Sequence, residues 1–361
     1  MVADLEQLVT MESPSNDRGA LARCAEVVAE KIAALLGPPE VIEVDGYGHV
    51  RWGHGRARVL LLGHYDTVWP LGTTGAWPFA VEDGRATGPG VFDMKAGVVQ
   101  GLYAVAALDE RAGIELLITG DEEIGGKTSR PLIEDAARRV DAVLVLEPSA
   151  DGALKVVRKG GSLYRVTVHG RAAHAGLEPE KGVNAVVELA HQILTMQGLA
   201  RPALGTSVTP SVVAGGTATN TVPARASVDV DVRAATEEEQ QRVDREMRAL
   251  TPATPDARLA VDGGIDRPPL PATASAELFE RARTIASDLG FADLDGAEVG
   301  GGSDGNFTAA LGTPTLDGLG AVGGGAHAEG EWVSVDEMAP RAALVARLVD
   351  ELRDQARRPQ G

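Results

Sequence analysis

Gly120-Asp121-Glu122-Glu123-Ile124-Gly125-Gly126 sets three consecutive carboxylates where a strand-like run, Ile114 to Thr119, ends and the chain turns toward a helix expected over 129–139. Open α/β sheets keep their ligand sites at such strand-to-turn junctions. Adjacent acids repel, so a folded chain holds them together either in water or beside something positive. A solvated acidic loop meets the first condition. A metal cluster meets the second, and it gives neighbouring carboxylates separate tasks, one as ligand and one as base. The stretch ends as a phosphate-binding loop would, in Gly126-Lys127-Thr128, but Asp121 stands where that loop needs its first glycine, and the acids would face the phosphates.

The whole chain narrows the classes of function. Its 361 residues suffice for one large domain or two ordinary ones, and a composition 44% hydrophobic and 24% charged is that of a globular protein. A formal charge of −18 repels nucleic acid, and bound divalent cations would offset part of it. Aromatic residues make up only 4%, so the core is expected to be Ala, Val and Leu. One cysteine, Cys24, excludes an intrachain disulfide framework and reads as a small core residue in a reducing compartment. The start, Met1-Val-Ala-Asp-Leu-Glu, lacks the pattern of a signal peptide, and no apolar run is long enough for a membrane span. A cytoplasmic enzyme without membrane or nucleic-acid partners is the expectation.

Upstream of the acidic turn, a strand expected over 58–62 runs into Gly63-His64-Tyr65-Asp66-Thr67-Val68. His64 and Asp66 are two apart and share a face in extended chain. Such a histidine either bonds to backbone or binds a metal with its orientation set by the carboxylate. Gly88-Pro89-Gly90-Val91-Phe92-Asp93-Met94-Lys95 nearly matches a dinucleotide fingerprint. Asp93 replaces the third glycine, however, and no clear strand leads in. Asp93 therefore serves as a cap or a ligand at the start of a helix expected over 95–108. Downstream, a buried-type strand over 141–146 closes with Glu147-Pro148. Four junctions carrying His64, Asp93, Glu122/Glu123 and Glu147 would converge along one sheet edge, a mixed N/O donor set suited to zinc.

From about residue 158 the texture changes. Strands over 162–169, 207–214 and 225–232, helices over 183–196 and 236–250, and the order β-α-β-β-α-β describe a small antiparallel sheet with two helices on one face, a ferredoxin-like α+β insert. It is read as ending near Arg267-Pro268-Pro269. The first domain then resumes with a helix over 274–289, a glycine-rich turn at Gly300-Gly-Gly-Ser303-Asp304-Gly305, a brief strand over 314–316 and a second histidine, His327. Ser334-Val-Asp-Glu337 is a capping box opening the last helix, and Arg357-Arg358-Pro359 belongs to a polar tail. The division is thus 1–157 and 269–361 for a catalytic domain and 158–268 for a lid and dimerisation domain.

Taken in order, Gly63-His64-x-Asp66-Thr67-Val68, Gly88-Pro89-Gly90-x-x-Asp93-Met94-Lys95, Asp121-Glu122-Glu123-x-Gly125, Glu147-Pro148, His174-Ala-Gly176, Asn220-x-Val222-Pro223, Asp231-Val232-Arg233 and a late His327 resemble the M20 family of co-catalytic zinc aminoacyl hydrolases. Within it they are most similar to the branch of glutamate carboxypeptidase G2 type. The resemblance implies a zinc-exopeptidase-like mixed sheet flanked by helices and two zinc ions per chain, with cobalt or manganese as possible substitutes. It implies that His64, Asp93 and Glu147 bind one ion and that Asp93, Glu123 and His327 bind the other. Asp66 would orient His64, Glu122 would be the general base, and the Asp93-Met94 peptide would be cis. His174 would stabilise the oxyanion, by analogy from a partner subunit. Arg233 and Arg267 would grip a substrate carboxylate, and Asn220, in the same dimer-contributed region, would be a further substrate-binding residue.

The implied reaction is hydrolysis of a peptide or N-acyl amide next to a free C-terminal carboxylate, in a homodimer joined through 158–268. An N-deacylase of the acetylornithine or succinyl-diaminopimelate type is the nearest alternative. A non-catalytic metal-binding relative would have lost Glu122, His174 or a ligand, and none is missing. His49, His54, His169 and His191 read as structural or surface residues, and Ser303 and Asp304 as part of a pocket-lining turn.

Overall fold

The computed structural model describes residues 1–53, 56–291 and 293–354; His54 and the tail at Arg357-Arg358-Pro359 lie outside them. The chain divides into two compact units, one of Met1–Val157, Leu270–Val299 and Ser303–Gly361, the other of Arg158–Pro269 with Gly300–Gly302.

The first unit is built on a mixed six-stranded sheet in the order Glu40–Val44, Tyr47–Gly53, Ile114–Thr119, Val59–His64, Ala142–Val145, Thr315–Leu316. The last four run parallel and the first two pair antiparallel. Successive side chains of a strand face opposite ways, and both faces here are covered. Val59, Leu61, Leu116, Ile118 and Leu144 pack into one apolar cluster, with the helices Arg18–Leu36, Ala96–Ala106 and Val335–Asp354. Leu60, Leu62, Leu117, Val143 and Val145 pack into another, against Ile133, Ala136 and Ala137 of the helix Arg130–Ala137 and against Phe307. This two-sided burial explains why these strands read as continuous apolar runs rather than as alternation.

Val59–His64 lies at the switch point of this sheet. The chain leaves it through the helix Ala96–Ala106 to the neighbour on one side, Ile114–Thr119, and then crosses to Ala142–Val145 on the other. Parallel strands splay their connections apart at such a point, leaving a crevice beyond their carboxyl ends. The three strands end at His64, Thr119 and Val145, next to Asp66, the acidic turn and Glu147.

Several elements escape the sequence reading, two of them close to the site. Tyr47–Gly53 is a strand of the main sheet, and a short strand, Arg85–Thr87, does lead into the Gly88–Lys95 turn. The latter belongs to a small antiparallel sheet ordered Gly323–Gly324, Trp332–Ser334, Arg85–Thr87, Ala80–Glu82. Its strands are two or three residues long, too short to display a period. The helix expected over 95–108 is Ala96–Ala106, preceded by a wide turn over Val91–Lys95.

The second unit is a four-stranded antiparallel sheet ordered Ser207–Gly215, Arg225–Ala234, Gly160–His169, Arg258–Arg267. The helices Ala185–Gln197 and Glu237–Arg248 share its apolar cluster with Tyr164, Val166, Val168, Val228, Val230 and Val232. Asn184 caps the first helix, accepting from the N–H groups of Val186 and Val187, and Thr236 caps the second through Glu239.

Candidate metal centre

Two imidazoles and four carboxylates converge beyond the switch point of the first unit. His64 Nε2 lies 3.4 Å from Asp93 Oδ1 and 3.5 Å from Glu147 Oε1. His327 Nε2 lies 3.4 Å from Asp93 Oδ2 and 3.2 Å from Glu123 Oε1. Asp93 thus presents one oxygen to each histidine. Donor atoms of His64, Glu122 and Glu147 all lie within 4.8 Å of one another, as do those of His64, Asp93 and Glu123. The Asp93–Met94 peptide is cis.

The donor set fits metal ions. Among the described residues, His64 Nε2 and Asp93 Oδ1 are buried side-chain atoms without a hydrogen-bond partner, although buried polar atoms are nearly always satisfied. They face each other across a space ringed by acids, where a cation would satisfy both. The electrostatics agree. Burial alone would lower the pKa of His64, but the carboxylates of Asp66, Asp93 and Glu147 reverse this and raise it well above the usual value. Asp93 and Glu123 raise that of His327 to about 10. Burial works to raise Asp93, yet His327 and His64 hold it well below the carboxylate range. The cluster attracts positive charge from whatever source is present.

A second layer of hydrogen bonds sets these side chains. Asp66 accepts from the N–H groups of Glu122 (3.2 Å) and Glu123 (3.1 Å) and from the Ser15 hydroxyl (2.7 Å). Its Oδ1 lies 3.4 Å from His64 Nδ1, whose shorter contact, 3.0 Å, is with the Asp66 carbonyl oxygen. One buried aspartate therefore ties the acidic turn to the strand that carries His64. Asp121 turns away from the cluster and accepts from the Thr128 N–H, the Thr128 hydroxyl and the Ser129 N–H. His49 is fully buried; its Nδ1 accepts from the Gly120 N–H and its Nε2 faces the Thr128 hydroxyl at 3.0 Å. The acids of the turn are thereby sorted, with Asp121 structural and Glu122 and Glu123 aimed at the crevice.

Sequence reasoning missed Glu331. Completely buried, it accepts from the N–H groups of Gly90 (3.0 Å), Phe92 (2.7 Å) and Asp93 (2.9 Å) and from Trp69 Nε1 (2.9 Å). It also missed Lys95, a buried ammonium that donates to the carbonyl oxygens of Leu8 and Met11 and so pins the turn to the first helix, Val2–Thr10. Ser303 is buried and donates to Asp317 Oδ2 at 2.6 Å, and Thr119 donates to Asp304. Both residues of that turn are engaged in internal bonds.

The other residues singled out lie in the second unit, where they form two pairs. His174 forms a bridge with Thr221, beside Asn220, whose carbonyl oxygen accepts from the Ala175 N–H. His174 Nδ1 accepts from the N–H groups of Gly176 and Leu177, both at 3.1 Å, which leaves Nε2–H as the outward donor. Arg233 and Arg267 both register against Gly161, one from each neighbouring strand, so they share a face across a residue with no side chain. The Arg233 guanidinium makes a fork to Asp231 at 2.9 and 2.8 Å.

Comparison with known proteins accords with this geometry. The sequence signature of peptidase family M20/M25/M40 matches residues 60–351. The chain is 30% identical to carboxypeptidase G2 of Pseudomonas sp. (strain RS-16), over 98% of this chain and 89% of that one. It is 28% identical to the succinyl-diaminopimelate desuccinylase of Psychrobacter sp. (strain PRwf-1), over 91% and 90%. In fold it is similar to an M20 family metallo-carboxypeptidase from Sulfolobus solfataricus, with a TM-score of 0.76, 17% identity, and 98% and 99% of the two chains covered.

Proposed function

We propose, from the premise that the chain belongs to peptidase family M20/M25/M40 and is a hydrolase, that it cleaves a peptide or N-acyl amide bond next to a free carboxylate, using two zinc ions per chain. The observation that carries this reading is the pair of buried atoms His64 Nε2 and Asp93 Oδ1, facing each other at 3.4 Å with no hydrogen-bond partner among the described residues. His64, Asp93 and Glu147 would hold one ion, and Asp93, Glu123 and His327 the other. Zinc there would supply Lewis acidity, lowering the pKa of a bound water toward about 7 and polarising the scissile carbonyl.

The chain's own residues do the rest. Glu122 accepts the proton of the attacking water and delivers it to the leaving amine; its backbone N–H is held by Asp66, so its carboxylate stays beside His64 and Glu147. General base catalysis of this kind contributes about 10²- to 10⁴-fold. His174 donates Nε2–H to the developing oxyanion from a second copy of the chain, with Asn220 beside it. Arg233 and Arg267 receive the substrate carboxylate, a role suited to the planar guanidinium. The second unit supports a homodimer through its exposed apolar side chains, Val186, Val187 and Leu194 on one helix and Val212 and Val213 on the edge strand Ser207–Gly215. No helix among the described residues is long and apolar enough to cross a membrane, and we assign the enzyme to the cytoplasm.

Metal analysis and hydrolysis of N-acyl amino acids and dipeptides, with Glu122→Gln alongside, test this reading. About two metals per chain in both proteins, with kcat at least about 100-fold lower in the variant, is the expected outcome. Loss of metal from the variant would make Glu122 a ligand, and absence of metal after reconstitution with zinc would overturn the site. Identity to the desuccinylase supports N-deacylation as a second reading, so acetylornithine and succinyl-diaminopimelate belong in the panel.

A further inference from the structure

Among its described residues the first unit exposes the large aliphatic side chains Val41, Val68, Leu71, Val81, Ile124 and Leu311. Three of them, Val68, Leu71 and Ile124, line a single cavity of about 410 Å³ that reaches Glu123. That volume falls within the roughly 300–1,000 Å³ typical of small-molecule sites. The walls are built in advance. Glu12 accepts from the N–H groups of Gly72 and Thr74, both at 2.8 Å, and so holds the loop carrying Leu71. Backbone bonds from Ser15 N–H to the Thr67 carbonyl (3.1 Å) and from Thr67 N–H to the Ser13 carbonyl (2.9 Å) join the opposite walls.

Two polar groups of the lining are engaged elsewhere, Ser15 Oγ with Asp66 and Asp17 with the Ala20 N–H, and Asn16 and Thr67 are the lining's other uncharged polar members. No lining residue is basic, and two, Asp17 and Glu123, are acids. A substrate's free carboxylate is repelled there. An uncharged apolar group is not, and the apolar wall begins at Ile124, one residue beyond Glu123.

We infer that this cavity receives the uncharged, apolar acyl group of an N-acyl amino acid, making medium-length aliphatic and aromatic acyl groups better substrates than acetyl, and succinyl a poor one. The inference rests on the amide-hydrolase reading and narrows its substrate class. Each buried methylene is worth about threefold to fourfold.

The test uses the zinc-loaded full chain and acetyl, butyryl, hexanoyl, benzoyl and succinyl derivatives of glycine, leucine and glutamate. We expect kcat/KM for hexanoyl and benzoyl to exceed that for acetyl at least tenfold, with succinyl below acetyl. Leu71→Ala and Ile124→Ala should each cut the hexanoyl-to-acetyl ratio threefold or more. A flat acyl preference, or an unchanged ratio in both variants, overturns the assignment. Should nothing be hydrolysed, the amide-hydrolase reading fails by itself, and calorimetry then judges the cavity. N-hexanoylglycine binding at least tenfold more tightly than N-acetylglycine sustains it; equal affinity, or no binding of either, overturns it.

Discussion

Glu331 accepts four hydrogen bonds, two at each oxygen, from a loop and an indole 238 to 262 residues away in sequence. Three of the donors are backbone N–H groups of the turn that presents Asp93, so this carboxylate determines where that turn sits. Glutamine in its place would set an NH₂ group against two donors. Outer residues of this kind commonly govern 10- to 100-fold in metal affinity. We expect Glu331→Gln to weaken zinc binding by about that factor with the fold retained, and Trp69→Phe, which removes one donor, to do less; competition with a chromophoric chelator measures both. Unchanged affinity in Glu331→Gln would dismiss the carboxylate from this role. The sequence could not flag Glu331, because an acid four residues past a histidine in a glycine-rich loop has no local mark that distinguishes it. His64, Asp93, Glu122, Glu123 and Glu147 were legible because each stands at or just past a strand or turn boundary.

At the scale of elements, the helix Ala96–Ala106 approaches the end of Ala142–Val145 so closely that a Cβ on Gly97 would lie 2.0 Å from the Leu146 carbonyl oxygen. Gly97→Ala must push the helix, and the turn preceding it, away from the sheet. Overpacking of this kind costs about 1–3 kcal/mol, to be read as a lower urea midpoint at unchanged m-value, accompanied by weaker zinc binding. In the second unit, Arg242 chiefly lowers the pKa of Glu239 from 4.5 to about 2, with burial opposing and the Thr206 hydroxyl assisting. A depressed carboxylate stabilises the fold fully above its unfolded value and loses that contribution as pH falls through the folded one. Glu239→Gln should therefore be less stable than the parent at pH 7, with the difference shrinking between about pH 4.5 and pH 2. A pH-independent gap in urea midpoints would contradict the assignment.

At the scale of the whole molecule, the proposed metal and the proposed second copy are the two levers. A ligand held only by the folded state stabilises by about 2.7 kcal/mol at 100 times its Kd. Zinc should therefore slow hydrogen exchange in the first unit, around residues 64–66, 91–96, 119–124 and 327, and a chelator should reverse this. Protection spread evenly over both units would disfavour a site built from these residues. Val213→Asp places a charge on the exposed edge strand of the second unit. We expect it to yield monomers by sedimentation and, because His174 is assigned to act from the second copy, to lower kcat with metal content unchanged. Monomers with full activity would remove His174 from that role.

By itself the sequence determined the α/β class, the apolar strands of the central sheet, the β-α-β-β-α-β order of the second unit, and the residues on which to look for a metal. These properties are local: apolar period, turn chemistry and acids at strand ends are written within a few residues of each other. Only the tertiary structure decided which carboxylate faces which histidine. His327 is brought to Asp93 by a small sheet in which Trp332–Ser334 pairs with Arg85–Thr87, strands too short to carry a period. Asp121, Glu122 and Glu123 are alike in charge and adjacent in chain, and they are told apart by Thr128, Ser129 and Asp66, which claim some of their groups and leave others to the crevice. A hydrogen bond across 56 residues leaves no periodic trace in the chain, because its energy depends on a distance that folding alone creates.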